Sequence, residues 1–276
     1  MDLKTLKDIP PWDWPEDAAE TFLEILRDSH APESDRLVAA ELAGDFTVVN
    51  DALVDALLSI LRRDGATDEL RSTAAISLGP VLEHADMMDE FEDPDDVPIT
   101  KQTFDRIRES LRTLYPDTGL SEDVRRAILE ASVRAPQDWH QAAVRAAYAS
   151  DDEAWRLTAV FCMRFVRGFE EQILEALESK NPDIHYEAVC AAGNWEVAAA
   201  WPHIAALVMS EDTDKPVLLA AIEAVGCMRP QEAAEILDDL TDSEDEDIAE
   251  AACEALAIAE GLSDEDDEDE DDEFRP

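Results

Sequence analysis

Glu69-Leu70-Arg71-Ser72-Thr73-Ala74-Ala75-Ile76-Ser77-Leu78-Gly79 is one copy of a pattern that returns about every thirty residues. With Arg71 as register point, the corresponding residues are Arg36, Arg125, Arg156, His185, Leu218 and Ala249, at steps of 35, 54, 31, 29, 33 and 31 along the chain. Three residues on stand Ala39, Ala74, Ile128, Ala159, Ala188, Ala221 and Ala252. One residue before stand Asp35, Leu70, Val124, Trp155, Ile184, Val217 and Ile248, all apolar but the first. A repeat of this length is one pair of helices that cannot bury its own apolar face and must stack on its neighbours. The expected fold class is all-α, an α-solenoid of about seven antiparallel helix pairs. Alternating Val-, Ile- and Thr-rich runs are absent, so no sheet is expected.

Residues 1–15 form a lead-in. Ile9-Pro10-Pro11-Trp12-Asp13-Trp14-Pro15 is too rich in proline for helix and should run extended, its two Trp folding back as an N-terminal cap. The repeats occupy residues 16–262. The long step from Arg71 to Arg125 places an acidic insertion at residues 83–99, in which Met87, Met88 and Phe91 either anchor the loop or face a partner. Its Asp93-Asp95-Asp96 cluster lacks the twelve-residue loop and closing Glu of a calcium hand. Gly44 and Gly79 close second helices, as expected of residues tolerant of positive φ. Residues 263–276 hold a ten-residue acidic run, Asp264 to Glu273, expected to be disordered by self-repulsion.

The 276 residues include 68 acidic against 22 basic ones, a formal charge of −46. Such a field repels nucleic-acid phosphates and anionic lipid, so neither nucleic acid nor membrane is an expected partner. The charge reflects either solubility in a salty medium or a basic partner. Cys162, Cys190, Cys227 and Cys253 show no C-x-x-C spacing and sit among Ala, Val and Met, as small buried hydrophobes do. The chain opens MDLKTLKDIPPWDWPED, without the apolar core of a signal peptide, and has no run of 18 apolar residues; a cytoplasmic setting with reduced thiols is expected.

The pattern at 69–79 resembles the short HEAT-like repeat of phycobilin lyases, D-x-x-V-R-x-x-A-A-x-A-L-G. Residues 124–128 and 217–226 fit it in part, and the likeness extends over most of residues 16–260. It implies a HEAT-like superhelix and, in its Arg, a ladder to Asp between repeats, fading where Arg gives way to His185, Leu218 and Ala249. HEAT-repeat hydroxylases of a lysine derivative hold di-iron through His-Glu dipeptides, and the chain contains none. No G-x-S-x-G, Walker loop, H-E-x-x-H or Rossmann glycine pattern occurs either, so no catalytic residue, cofactor or metal is expected. The expected function is a non-enzymatic protein–protein interaction scaffold that takes a protein segment, in particular a basic one, on its concave face. Its candidate contact residues are Trp139, His140, Tyr186, Trp195 and Trp201, with Met87, Met88 and Phe91 of the insertion. The alternatives are a bilin lyase-like or other enzyme on the same scaffold, and an acidic chaperone of basic proteins.

Overall fold

The structure is a computed structural model and describes residues 3–62, 65–88, 91, 97–210 and 212–272. The Asp93-Asp95-Asp96 cluster and residues 273–276 lie outside the described residues. No strand occurs among those described. In chain order the helices are α1 (Leu3–Lys7), α2 (Ala18–Arg27), α3 (Glu33–Leu42), α4 (Asp51–Arg62), α5 (Asp68–Ile76), α6 (Gly79–Met88), α7 (Lys101–Leu114) and α8 (Glu122–Ser132). They continue with α9 (Asp138–Tyr148), α10 (Glu153–Cys162), α11 (Glu170–Leu177), α12 (Pro182–Asn194), α13 (Trp201–Val208), α14 (Lys215–Met228), α15 (Pro230–Leu237) and α16 (Glu246–Asp272). Short 3₁₀ turns stand at Pro11–Asp13, Ala198–Ala200 and Asp238–Leu240.

The chain divides into two compact units, Met1–Ala143 and Val144–Pro276. In the first, α2 packs on α3, α4 on α5 and α7 on α8, while α3, α5 and α8 are successive neighbours. In the second, α11 packs on α12, α13 on α14 and α15 on α16, with α10, α12, α14 and α16 successive neighbours. This is the helix-pair repeat expected from the sequence.

The register explains the regularity. Each register residue is the fourth of its helix, in α3, α5, α8, α10, α12, α14 and α16. Each residue three further on, Ala39 through Ala252, is 0% exposed. An alanine there lets neighbouring helix axes approach closely while favouring the helix itself. Helix starts are set four residues before the register point. Thr67, Ser121, Asp152 and Asn181 each accept a backbone N–H of the first turn through their side chains, and Asp245 Oδ1 accepts from Asp247 N at 3.1 Å.

The motif glycine has a reason other than its φ. Among the described residues the glycines with positive φ are Gly65 and Gly168, not Gly44 or Gly79. A Cβ on Gly44 would lie 2.4 Å from the Ser77 carbonyl oxygen, and one on Gly226 would lie 2.6 Å from that of Ala255. At Gly193 it would meet Ala224 Cβ at 2.7 Å. All three stand eight residues after a register point, where the next second helix crosses against bare backbone. Two of the register arginines bind turn carbonyls: Arg125 Nε donates to Tyr115 O (2.9 Å) and Arg156 Nη2 to Ser150 O (3.4 Å). These bonds tie α8 and α10 to the turns before them and satisfy carbonyls that a helix end leaves over.

Three segments differ from expectation. The lead-in contains α1 and a 3₁₀ turn at Pro11–Asp13 in place of extended chain. Its cap uses Leu3, Leu6 and Trp14: the Trp14 indole meets Phe22 edge-on at 5.5 Å and donates to Leu6 O at 2.9 Å, while Trp12 is 78% exposed. The first part of the insertion is helix α6, which runs to Met88. Pro80 is its second residue, where a missing N–H costs nothing, and Val81, Leu82 and Ala85 are buried. The acidic run expected to be disordered continues α16 as far as Asp272, because extending a formed helix avoids the cost of nucleating one.

The cap supports a matched pair of substitutions. Trp14→Ala removes the ring contact and the Leu6 hydrogen bond and should destabilise the protein by about 3 kcal/mol. Trp12→Ala should change stability by less than about 0.5 kcal/mol. Urea unfolding followed by far-UV circular dichroism checks both.

Candidate functional site

The second unit carries a groove of about 750 Å³ along α12, α14 and α16. The repeat itself builds it. One residue after the register point come Tyr186, Leu219 and Glu250, and five after come Cys190, Glu223 and Glu254. Residues four apart share a helix face, so these two rows run side by side across three helices. The floor is apolar, made by Leu219, Ala220, Ala251, Ala255 and Ile258. The rim is anionic, made by Glu223, Asp247, Glu250 and Glu254.

The charges of the groove are unevenly matched. Lys215 is already committed: its Nζ donates to Asp245 Oδ1 (2.7 Å) and Oδ2 (2.8 Å) and to Asp247 Oδ2 (2.6 Å). These bonds hold the Lys215 ammonium above its ordinary range and the Asp245 carboxyl below it. Among the described residues Glu223, Glu250 and Glu254 form no ion pair. Glu250 and Glu254 stand one turn apart on α16 and repel each other. At the other end, Cys190 and burial raise the pKa of the Tyr186 phenol, and burial raises that of the Cys190 thiol. Both therefore keep their protons at neutral pH, and Cys190 is not an activated thiolate.

The residues singled out in the sequence do not gather at one place. Tyr186 lines the groove. Trp195 caps the end of α12, donating Nε1–H to Met163 O (2.6 Å) beneath the Arg167 guanidinium, 4.7 Å from the ring. Trp201 opens α13, is 9% exposed, and lies 5.0 Å below Arg229.

In the first unit, Trp139 stands between Tyr115 (5.3 Å) and His140 (3.9 Å). His140 is 0% exposed and has no surface to offer a partner. Its Nδ1 accepts from Gln137 N (2.8 Å), and its Nε2 is 3.0 Å from Ser132 Oγ. Burial, with Arg108 nearby, lowers its pKa to about 4, so it is a neutral core imidazole. Phe91 packs on Phe104 at 5.4 Å and acts as an anchor, whereas Met87 and Met88 are exposed on α6.

The groove carboxylates escaped the sequence reading because the net charge hides any single acid. Their signal was positional, since Glu223 and Glu254 repeat at the same distance from the register.

A second cluster lies at the start of α12. His185 Nε2 and His203 Nε2 are 3.0 Å apart with the rings at 87°, and Glu178 Oε1 is 3.8 Å from His203 Nδ1. Burial, then His203, depress the pKa of His185 against the pull of Glu178.

Comparison with known proteins places the repeats. Residues 170–257, within the second unit, match the family model of HEAT repeats. The solved structures that resemble the chain include the Escherichia coli protein YibA, at 17% identity and a TM-score of 0.45, over 90% of this chain and 84% of that one. They also include human deoxyhypusine hydroxylase, at 17% identity and a TM-score of 0.41, over 94% of this chain and 88% of that one. No curated protein matches the chain. Deoxyhypusine hydroxylase is an enzyme. On that finding the expectation of a non-enzymatic interaction scaffold is corrected, although neither likeness assigns a reaction to this chain. No helix among the described residues is long and apolar enough to cross a membrane.

Proposed function

We propose that the chain has an enzyme-type role on a HEAT-like scaffold, with the groove of α12, α14 and α16 holding a cationic substrate. The observation that carries this reading is the set of three carboxylates, Glu223, Glu250 and Glu254, that form no ion pair among the described residues, above a floor of Leu219, Ala220, Ala251, Ala255 and Ile258. That combination suits an ammonium group on an alkyl stem, with the stem on the floor and the charge at the rim. A free alkylamine and a lysine side chain both carry this group, and the second source agrees with a basic protein partner. The free thiols of all four cysteines suit a cytoplasmic setting.

The test is calorimetric titration with an alkyl diamine and with a short lysine peptide. Each of E223Q, E250Q and E254Q should weaken binding about threefold, and the triple substitution about tenfold or more, with the loss shrinking as salt is raised. A form lacking residues 263–276 should bind as the full chain does. Unchanged affinity in the triple variant, or binding lost with the tail alone, would remove the groove from consideration.

A further inference from the structure

We propose that His185 and His203 form a transition-metal site that holds one Cu²⁺ or Zn²⁺ ion through their two Nε2 atoms. The site is independent of the groove carboxylates. His185 is the fourth residue of α12, and His203 the third of α13, so the two come from helices of successive repeats. Their Nε2 atoms converge to 3.0 Å. Two imidazole nitrogens, each about 2.0–2.1 Å from one metal, lie about 2.9 Å apart as cis neighbours in square or octahedral geometry and about 3.3 Å apart in tetrahedral geometry. The observed spacing falls inside that interval without any movement of the backbone.

Glu178 supplies the outer partner. Its carboxylate lies 3.8 Å from His203 Nδ1, on the far side of the ring from His185. A small rotation of this exposed side chain brings it to hydrogen-bond distance. It then holds the proton on Nδ1 and leaves the Nε2 lone pair free for the metal, the carboxylate–histidine–metal arrangement common to bound imidazole. No third His, Cys, Asp or Glu completes a closed cage among the described residues. The remaining coordination positions therefore belong to water, which makes the site an open one. Imidazole nitrogen suits Cu²⁺, Ni²⁺ and Zn²⁺, and the intrinsic order of affinity places Cu²⁺ first. A proton shared between the rings as a plain hydrogen bond is the competing account of the same distance.

The experiment separates the two. The full-length protein at pH 7 receives one equivalent of Cu²⁺ in a large excess of Mg²⁺, which occupies the abundant surface carboxylates. The electron paramagnetic resonance spectrum should show coupling to two nitrogens. His185→Ala and His203→Ala should each lose that pattern and bind Cu²⁺ about tenfold or more weakly, with melting temperatures close to the parent's. E223Q, E250Q and E254Q should leave it intact, which keeps this outcome separate from that of the groove. Should a histidine variant fail to fold, Zn²⁺ titration of the parent followed by imidazole NMR gives the same answer, with the His185 and His203 ring signals moving first. A two-nitrogen spectrum that survives either substitution, an oxygen-only spectrum in the parent, or ring signals unmoved by Zn²⁺ would overturn the proposal.

Discussion

Acidification from pH 6.5 to pH 4 should destabilise the native protein by about 3 kcal/mol more than it destabilises a His140→Gln variant. His140 is fully buried, with a folded-state pKa of about 4 against an ordinary value of 6.5. Between those values the unfolded chain takes up a proton at this position and the folded one does not, so stability rises with pH. The contribution is complete above pH 6.5, declines as the solution is acidified, and is gone below pH 4. Carboxylates that protonate near pH 4 relieve the large negative charge and act in the opposite sense, but they do so in both proteins and cancel in the difference. The variant will itself be weaker at neutral pH, because Gln137 N–H and Ser132 Oγ lose a partner placed for both. Urea unfolding at half-unit pH steps measures the two curves. Parallel curves across this range would show that the imidazole is charged in the fold.

Gly226→Ala should cost about 2–3 kcal/mol, and Gly261→Ala should gain up to about 1 kcal/mol. Both positions are helical, in α14 and α16, and alanine is the better helix former in each. The difference is the neighbour. A Cβ at 226 would stand 2.6 Å from the Ala255 carbonyl oxygen and 3.1 Å from its Cα and carbonyl carbon. Those are backbone atoms, which cannot turn aside as a side chain would, so α16 must move bodily away from α14. At 261 nothing lies within 4 Å of the added methyl. Thermal denaturation of the two variants under one set of conditions reads the contrast directly. Equal shifts of the same sign would mean that the helices tolerate a wider spacing than their packing indicates.

The second helices were legible because up to three signals coincide in them. A side chain that caps the helix lies four before the register point in five of the seven, an apolar residue one before in six, and a small or apolar residue three after in all. Thr67, Leu70 and Ala74 show all three in α5. The first helices lack such a register and were found by their amphipathic spacing alone. Helix α6 was missed because the acids after Pro80 suggested a loop, although Pro80 itself opens the helix as its second residue. Gly44 and Gly226 were visible, but their cause was not: a glycine kept for its φ and one kept for a neighbour's approach look alike in one dimension. Trp195 and Trp201 are large enough to suggest contact surfaces, yet each satisfies its own fold, one by its indole hydrogen bond and the other by burial. The groove depends on which row of each helix faces its neighbour's row, and that becomes readable only after the register is known.

The two rows along the groove amount to a ruler. Glu223 and Glu254 hold equivalent places on adjacent helices, so they are separated by one interhelical step of about 8–10 Å. A diamine shorter than that step can satisfy one mark at a time, while a longer one spans two. Selection by length, rather than by the chemistry of the amine itself, is what such spacing would impose, and a homologous series of diamines would display it as a jump in affinity at one chain length.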